Sequence, residues 1–81
     1  MRIEIVSPEK QLYAGEVSMA QFPGTEGSFQ VLNNHAPMIA TIAAGSIRFR
    51  TAEGKEESVD VNGGIVVVLK NYFLVLAESV K

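Results

Sequence analysis

Residues 21–50 read QFPGTEGSFQVLNNHAPMIATIAAGSIRFR, and the order of turn, strand, polar loop and apolar strand within them decides the fold class. Pro23-Gly24-Thr25-Glu26-Gly27 concentrates turn chemistry, because proline presets its own φ and glycine accepts positive values. A short strand over 17–22 before it and another over 28–32 after it predict a hairpin, with Phe29 and Val31 on one face. After the polar loop at 33–37 come an apolar strand over 38–42, the break Ala43-Ala44-Gly45, and a strand over 46–50. In that last strand Ile47 and Phe49 point inward and Arg48 and Arg50 face water.

The same grammar extends in both directions. Residues 2–6 alternate, with Ile3 and Ile5 on one face, until Ser7-Pro8-Glu9-Lys10 breaks the pattern as a turn. Residues 12–14 read as a short strand separated by Gly15 from 17–22. Glu53-Gly54-Lys55 closes a hairpin onto 58–61, where Val59 and Val61 alternate with Ser58 and Asp60. Strands over 65–69 and 72–77 are joined through Lys70-Asn71. No segment sustains a helical period. The pattern predicts one all-β domain over 1–81, a small sandwich or flattened barrel of about nine or ten short, mainly antiparallel strands.

Bulk properties narrow the function classes. A chain of 81 residues is one small domain, and a domain of that size buries only roughly 60% of the surface that its unfolded form exposes. With no cysteine, disulfides and thiol catalysis are excluded, and structural zinc sites of the usual kind lose their commonest ligand. A net charge of -2 with acids and bases interspersed offers no basic stripe for phosphates, so nucleic acid is not an expected partner. The apolar runs at 65–69 and 72–77 fall far short of the roughly 20 residues that a membrane helix needs.

Chemical motifs are sparse. His35 is the sole histidine, with Ser28 and Glu26 the nearest candidates for a nucleophile and an orienting acid, and their spacing gives a catalytic triad no support. A lone histidine also falls short of the three or four ligands that zinc requires. Gly63-Gly64 lies between two strands, whereas phosphate-cradling loops lead into a helix N-terminus, so it reads as a bend or bulge. No catalytic residue, metal site, nucleotide site or cofactor is expected.

Apolar residues are, by contrast, in surplus. In a two-layer β domain each strand hides one face, yet Met38, Ile39, Ala40, Ile42, Ala43 and Ala44 are apolar on both. The final hairpin repeats this, with Ile65, Val67 and Leu69 on one side, Val66 and Val68 on the other, and Tyr72, Phe73, Leu74, Val75 and Leu76 following. Burying an exposed valine or leucine is worth about 1.5–3 kcal/mol. Two such regions in so small a domain predict an outer face that binds another protein.

The chain resembles the beta-sandwich domain of the epsilon subunit of F-type ATP synthases, whose members carry a PGxxGxxGxLPxHAPLLTxLxPG run near the N-terminus. Pro23, Gly24, Gly27, Leu32, His35, Ala36, Pro37 and Gly45 fall in register, whereas Gln30 stands at a usual glycine and Asn33 at a usual proline. The similarity reaches outward to IVSPEKQLYAGEV at 5–17 and VNGGIVVVLKNYFLVLAE at 61–78. It implies a non-catalytic subunit of the central rotor stalk that links the gamma subunit to the c-ring and supports coupling of proton or sodium-ion flow to ATP synthesis. By position in the motif, Ser7, His35, Ala36, Pro37, Met38 and Ala40 are implied to face gamma, and Glu26, Gly27 and Ser28 the ring. Family members often have an acid where Ser28 stands. The resemblance also implies a peripheral position on the cytoplasmic face of a bacterial inner membrane. Most members continue into a two-helix inhibitory hairpin, so the expectation for 1–81 is a sandwich without that element or its nucleotide site.

Two readings of other classes compete. One is a generic protein-binding adaptor. The other is a swinging-arm carrier similar to lipoyl and biotinyl domains, modified at Lys55 on its hairpin, although Gly54 and Glu56 replace the acid and the small or hydrophobic neighbours typical of those families.

Overall fold

Residues whose side chains alternate between apolar and polar settle into strands with one dry face, and a computed structural model describing residues 1–32 and 36–78 contains eight of them. In chain order they are β1 (Arg2–Val6), β2 (Gln11–Gly24), β3 (Gly27–Leu32), β4 (Met38–Ile42), β5 (Gly45–Thr51), β6 (Glu56–Val61), β7 (Gly64–Leu69) and β8 (Tyr72–Ala77). The expected count of nine or ten falls to eight because 12–14 and 17–22 are one strand. Gly15 does not break it. Its backbone stays in the ladder opposite Ile3, and the missing side chain leaves room for the Tyr13 ring, whose hydroxyl would lie 3.0 Å from a Cβ there.

The 14-residue β2 organises the molecule. Its first half pairs with β1, and its second half has β3 on one side and β5 on the other. Between the halves the register with β5 shifts at Val17/Met19. A bulge bends a strand, which lets β2 pass from one layer into the next. Its far end meets β4 at Gly24 opposite Ile42, which closes the circuit β1, β8, β7, β4, β2 and back to β1. β5 carries β6 as an outer strand. Every pairing is antiparallel except β1 with β8.

Register explains the core. Ile3, Phe73, Val68 and Met38 lie in one row across β1, β8, β7 and β4, and Ile5, Val75, Val66 and Ala40 in the next. The opposing layer contributes Ala20, Phe22, Val31, Ile47, Phe49 and Val61, all buried. Phe22 ties the layers together, edge-on to Phe73 at 6.0 Å and tilted against Phe29 at 5.5 Å. Tyr13 leans on Phe49 at 4.5 Å.

The turns also follow from chemistry. The β2–β3 hairpin closes through Thr25-Glu26, with Gly24 opposite Gly27, so β2 runs two residues further than the expected end at Phe22. β6 likewise starts at Glu56 rather than Ser58. In the turn between β5 and β6 the Thr51 amide donates to the Lys55 carbonyl at 2.8 Å, and the Lys55 amide to the buried Thr51 hydroxyl at 3.1 Å. The chain bends at Asn62 and enters β7 through Gly63-Gly64, where Gly64 is required by close approach: a Cβ on it would sit 2.2 Å from the Leu76 carbonyl oxygen.

Candidate protein-binding surfaces

The strands that build the core present their alternate residues outward, and there the surplus of apolar side chains becomes a surface. Ile39, Val67 and Leu74 form one outward row across β4, β7 and β8, ending at Glu4 on β1. Thr41, Ile65, Leu76 and Val6 form the next row, and Leu69 faces Tyr72 beyond the first. Ile39, Ile65, Leu69 and Leu76 are exposed, Ile39 to 74%, while Val67 and Leu74 are half-covered. Neighbouring strands stand about 4.8 Å apart, so these residues make a continuous apolar patch, as the sequence predicts.

Adjacent to this face lies a groove. β4 bonds to β7 along its length on one side, but on the other it meets β2 in a single ladder pair. Past that pair, Met38, Ile39, Ala40 and Thr41 form one wall of a groove of about 570 Å³, and Thr25, Glu26, Gly27, Ser28 and Phe29 form the opposite wall. Two groups of residues that the sequence assigns to different partners, Met38 and Ala40 on one hand and Glu26, Gly27 and Ser28 on the other, therefore share one cavity. Met38 and Ala40 stand in the inward-facing rows and pack partly against the core, while Ile39 between them points outward. Gly27 adopts φ +124°, which fixes the hairpin tip in a conformation that other residues resist.

The remaining expected residues distribute as follows. Ala36 and Pro37 are exposed, just ahead of β4. Ser7 lies apart from them, at the end of β1, where its amide donates to the Lys10 carbonyl at 2.8 Å and its hydroxyl caps the same turn. His35 lies outside the described residues. Lys55 is exposed on the β5–β6 turn between Gly54 and Glu56. Ile39 belongs to the apolar surplus that the sequence reading expects on an outer face, though not to the residues it gives to gamma, whereas the meeting of Thr25 and Thr41 escapes that reading. Ile39 is the most exposed large hydrophobic residue described, and strict alternation along β4 carries that signal. Thr25 and Thr41 are 16 residues apart and meet hydroxyl to hydroxyl at 2.9 Å, for which the sequence holds no signal.

Electrostatics are mild. Arg2 lies 3.6 Å from Glu4, and Arg50 3.9 Å from Glu56, both pairs at the surface. The Tyr72 hydroxyl donates to Glu4, and this bond, followed by desolvation and the carboxylate's charge, raises the phenol above its ordinary value. Among the described residues no group of three or more histidine, cysteine, aspartate or glutamate side chains could hold a metal ion, and no helix is long and apolar enough to cross a membrane.

The class defined by these features is a small β-sandwich with an apolar sheet face beside a polar hairpin tip. The family model described as ATP synthase, Delta/Epsilon chain, beta-sandwich domain matches residues 1–81, and the chain belongs to that family. It is 36% identical to the ATP synthase epsilon chain of Syntrophomonas wolfei over 77 residues, which are 95% of this chain and 56% of that one. It is 34% identical to the ATP synthase epsilon chain of Chlorobium limicola, with coverage of 98% and 90%. The chain thus spans little more than half the length of the first of these relatives. The same fold occurs in the cryo-EM structure of the Tetrahymena thermophila mitochondrial ATP synthase central stalk and c-ring, with a TM-score of 0.83, 16% identity, and coverage of 100% of this chain and 65% of that one. Membership of this family displaces the carrier reading at Lys55.

Proposed function

We propose that this domain is a non-catalytic part of the central rotor stalk of an F-type ATP synthase, linking the gamma subunit to the c-ring and supporting the coupling of proton or sodium-ion flow to ATP synthesis. The observation that carries this reading is the placement of an exposed apolar sheet face next to a polar hairpin tip, on a family member similar to bacterial epsilon chains. A lasting contact wants apolar area, whereas a contact with polar loops wants a polar, loop-built end.

In this reading gamma takes the β4 side, with Ala36, Pro37, Met38 and Ala40 together with His35 and Ser7, and the ring takes Glu26, Gly27 and Ser28. Ser7 directly follows β1 and Ala40 lies on β4, with β8 and β7 between those two strands. Three strand spacings are about 14 Å, a span that an interface of about 800 Å² per partner covers. The closed sheet supplies stiffness. The domain would sit peripherally, at the cytoplasmic face of a bacterial inner membrane, held there by its complex and not by insertion.

Calorimetric titration of the chain with the gamma subunit of the same organism tests this. One-to-one binding with a negative heat-capacity change supports a stalk contact through buried apolar surface. A folded chain that leaves gamma unbound refutes it.

A further inference from the structure

The β2–β3 hairpin ends in a two-residue loop whose tip is exposed, and such a tip ordinarily sways relative to the sheet that carries it. Here it is tied down. The Ala43 amide donates to the Pro23 carbonyl at 2.6 Å, Gly24 pairs with Ile42, the Thr25 amide donates to the Thr41 carbonyl at 3.4 Å, and the Thr25 and Thr41 hydroxyls meet at 2.9 Å. This short seam is where the sheet closes between β2 and β4. Its last bond joins two exposed side chains and buries nothing, so it adds little to the core. What it fixes is the placement of one groove wall, Thr25 to Phe29, against the other, Met38 to Thr41.

We infer that Thr25 and Thr41 form a mechanical joint that positions the Glu26 tip relative to β4, and so lets load pass between two partners bound on either side of it. This rests on the stalk reading above, in which those partners are the c-ring and gamma. Both threonines are positioning residues. Neither needs to touch a partner, because the hydroxyl pair acts by holding Glu26, Gly27 and Ser28 at a set height over the β4 edge. Thr41 occupies an outward position on the face given to gamma, so valine there keeps the branched shape and removes the hydrogen bond but adds a methyl to that face, and Thr25→Val carries the comparison for gamma.

The experiment compares the wild-type chain, Thr41→Val, Thr25→Val and Thr41→Ser for binding to purified gamma and, as the preformed gamma complex, to detergent-solubilised c-ring, with amide hydrogen exchange of the hairpin followed in parallel. Loss of one such bond corresponds to roughly three- to tenfold. Thr25→Val is expected to bind gamma as the wild type does, both valine variants are expected to bind the ring that much more weakly and to exchange faster across Thr25 to Gly27, and Thr41→Ser keeps both readouts at the wild-type level. Wild-type ring affinity in the valine variants overturns the joint, as does an equal loss toward gamma and ring in Thr25→Val. If the wild-type chain itself binds neither partner, the stalk reading falls and the joint's role with it, and that failure is visible before any variant is made.

Discussion

Ile39 stands directly opposite Val67 in the β4–β7 ladder, with both side chains on the outer face of the sheet. Met38 and Ala40, its neighbours in sequence, stand opposite Val68 and Val66 in the rows that fill the core. One strand thus serves two surfaces, and a change at position 39 separates binding from stability. Replacing Ile39 with threonine keeps the β-branch and removes apolar area. On the proposed stalk reading, affinity for gamma is expected to fall roughly tenfold or more, from the 1.5–3 kcal/mol of a buried aliphatic side chain. The unfolding free energy from urea titration should change by no more than about 0.5 kcal/mol, as for exposed sites generally.

Phe22 is the opposite case. It is fully buried and touches an aromatic ring in each direction, Phe29 and Phe73. Phe22→Ala should cost about 3–5 kcal/mol, a large share of the roughly 5–15 kcal/mol that holds a typical domain together. Equilibrium urea unfolding followed by circular dichroism gives the value.

Two glycines with positive φ should respond unequally to alanine. At Gly27 a new Cβ meets nothing within 4 Å, so only backbone strain of about 1–3 kcal/mol opposes it. At Gly64 the same methyl collides with the Leu76 carbonyl oxygen at 2.2 Å and with the Ala77 Cα at 2.9 Å, so the β7–β8 ladder must move. Gly64→Ala should therefore be clearly more destabilising than Gly27→Ala in parallel thermal melts, and equal losses would contradict this account of the bend.

Tyr72 sets a pH dependence. Its folded-state value lies above the ordinary 10.0 because its hydroxyl donates to Glu4, so the fold holds the phenol's proton more tightly than the unfolded chain does. Stability from this bond is fully present below about pH 10 and is lost as pH rises through the folded value. Tyr72→Phe should flatten the alkaline limb of the stability profile between about pH 9 and 11, measured by urea titration at each pH.

Sequence patterning reached far into this fold because period-two alternation is a local property. Ile3 and Ile5, Ile47 and Phe49, and Val66 and Val68 are inward as their spacing requires, and Arg48 and Arg50 face water. The error at Gly15 has a tertiary cause: a glycine that would end an isolated strand is kept in line by β1 on one flank and by a tyrosine ring that uses the space. Of the site residues, Glu26, Gly27, Ser28, Met38 and Ala40 do converge, on one groove. Ser7 stands away from it at the end of β1, since only strand order sets that separation.

By itself the sequence determined the all-β class, the position of most turns, the inward set of side chains and the excess of apolar residues in 38–44 and 65–76, because each depends on neighbours a few residues away. Only the tertiary structure decided that β2 spans both layers, that β4 and the hairpin tip face each other across a groove, and that Thr25 reaches Thr41. Those facts depend on which strands lie side by side and in what register. The cooperative burial of the core as a whole selects that arrangement, and no local segment encodes it.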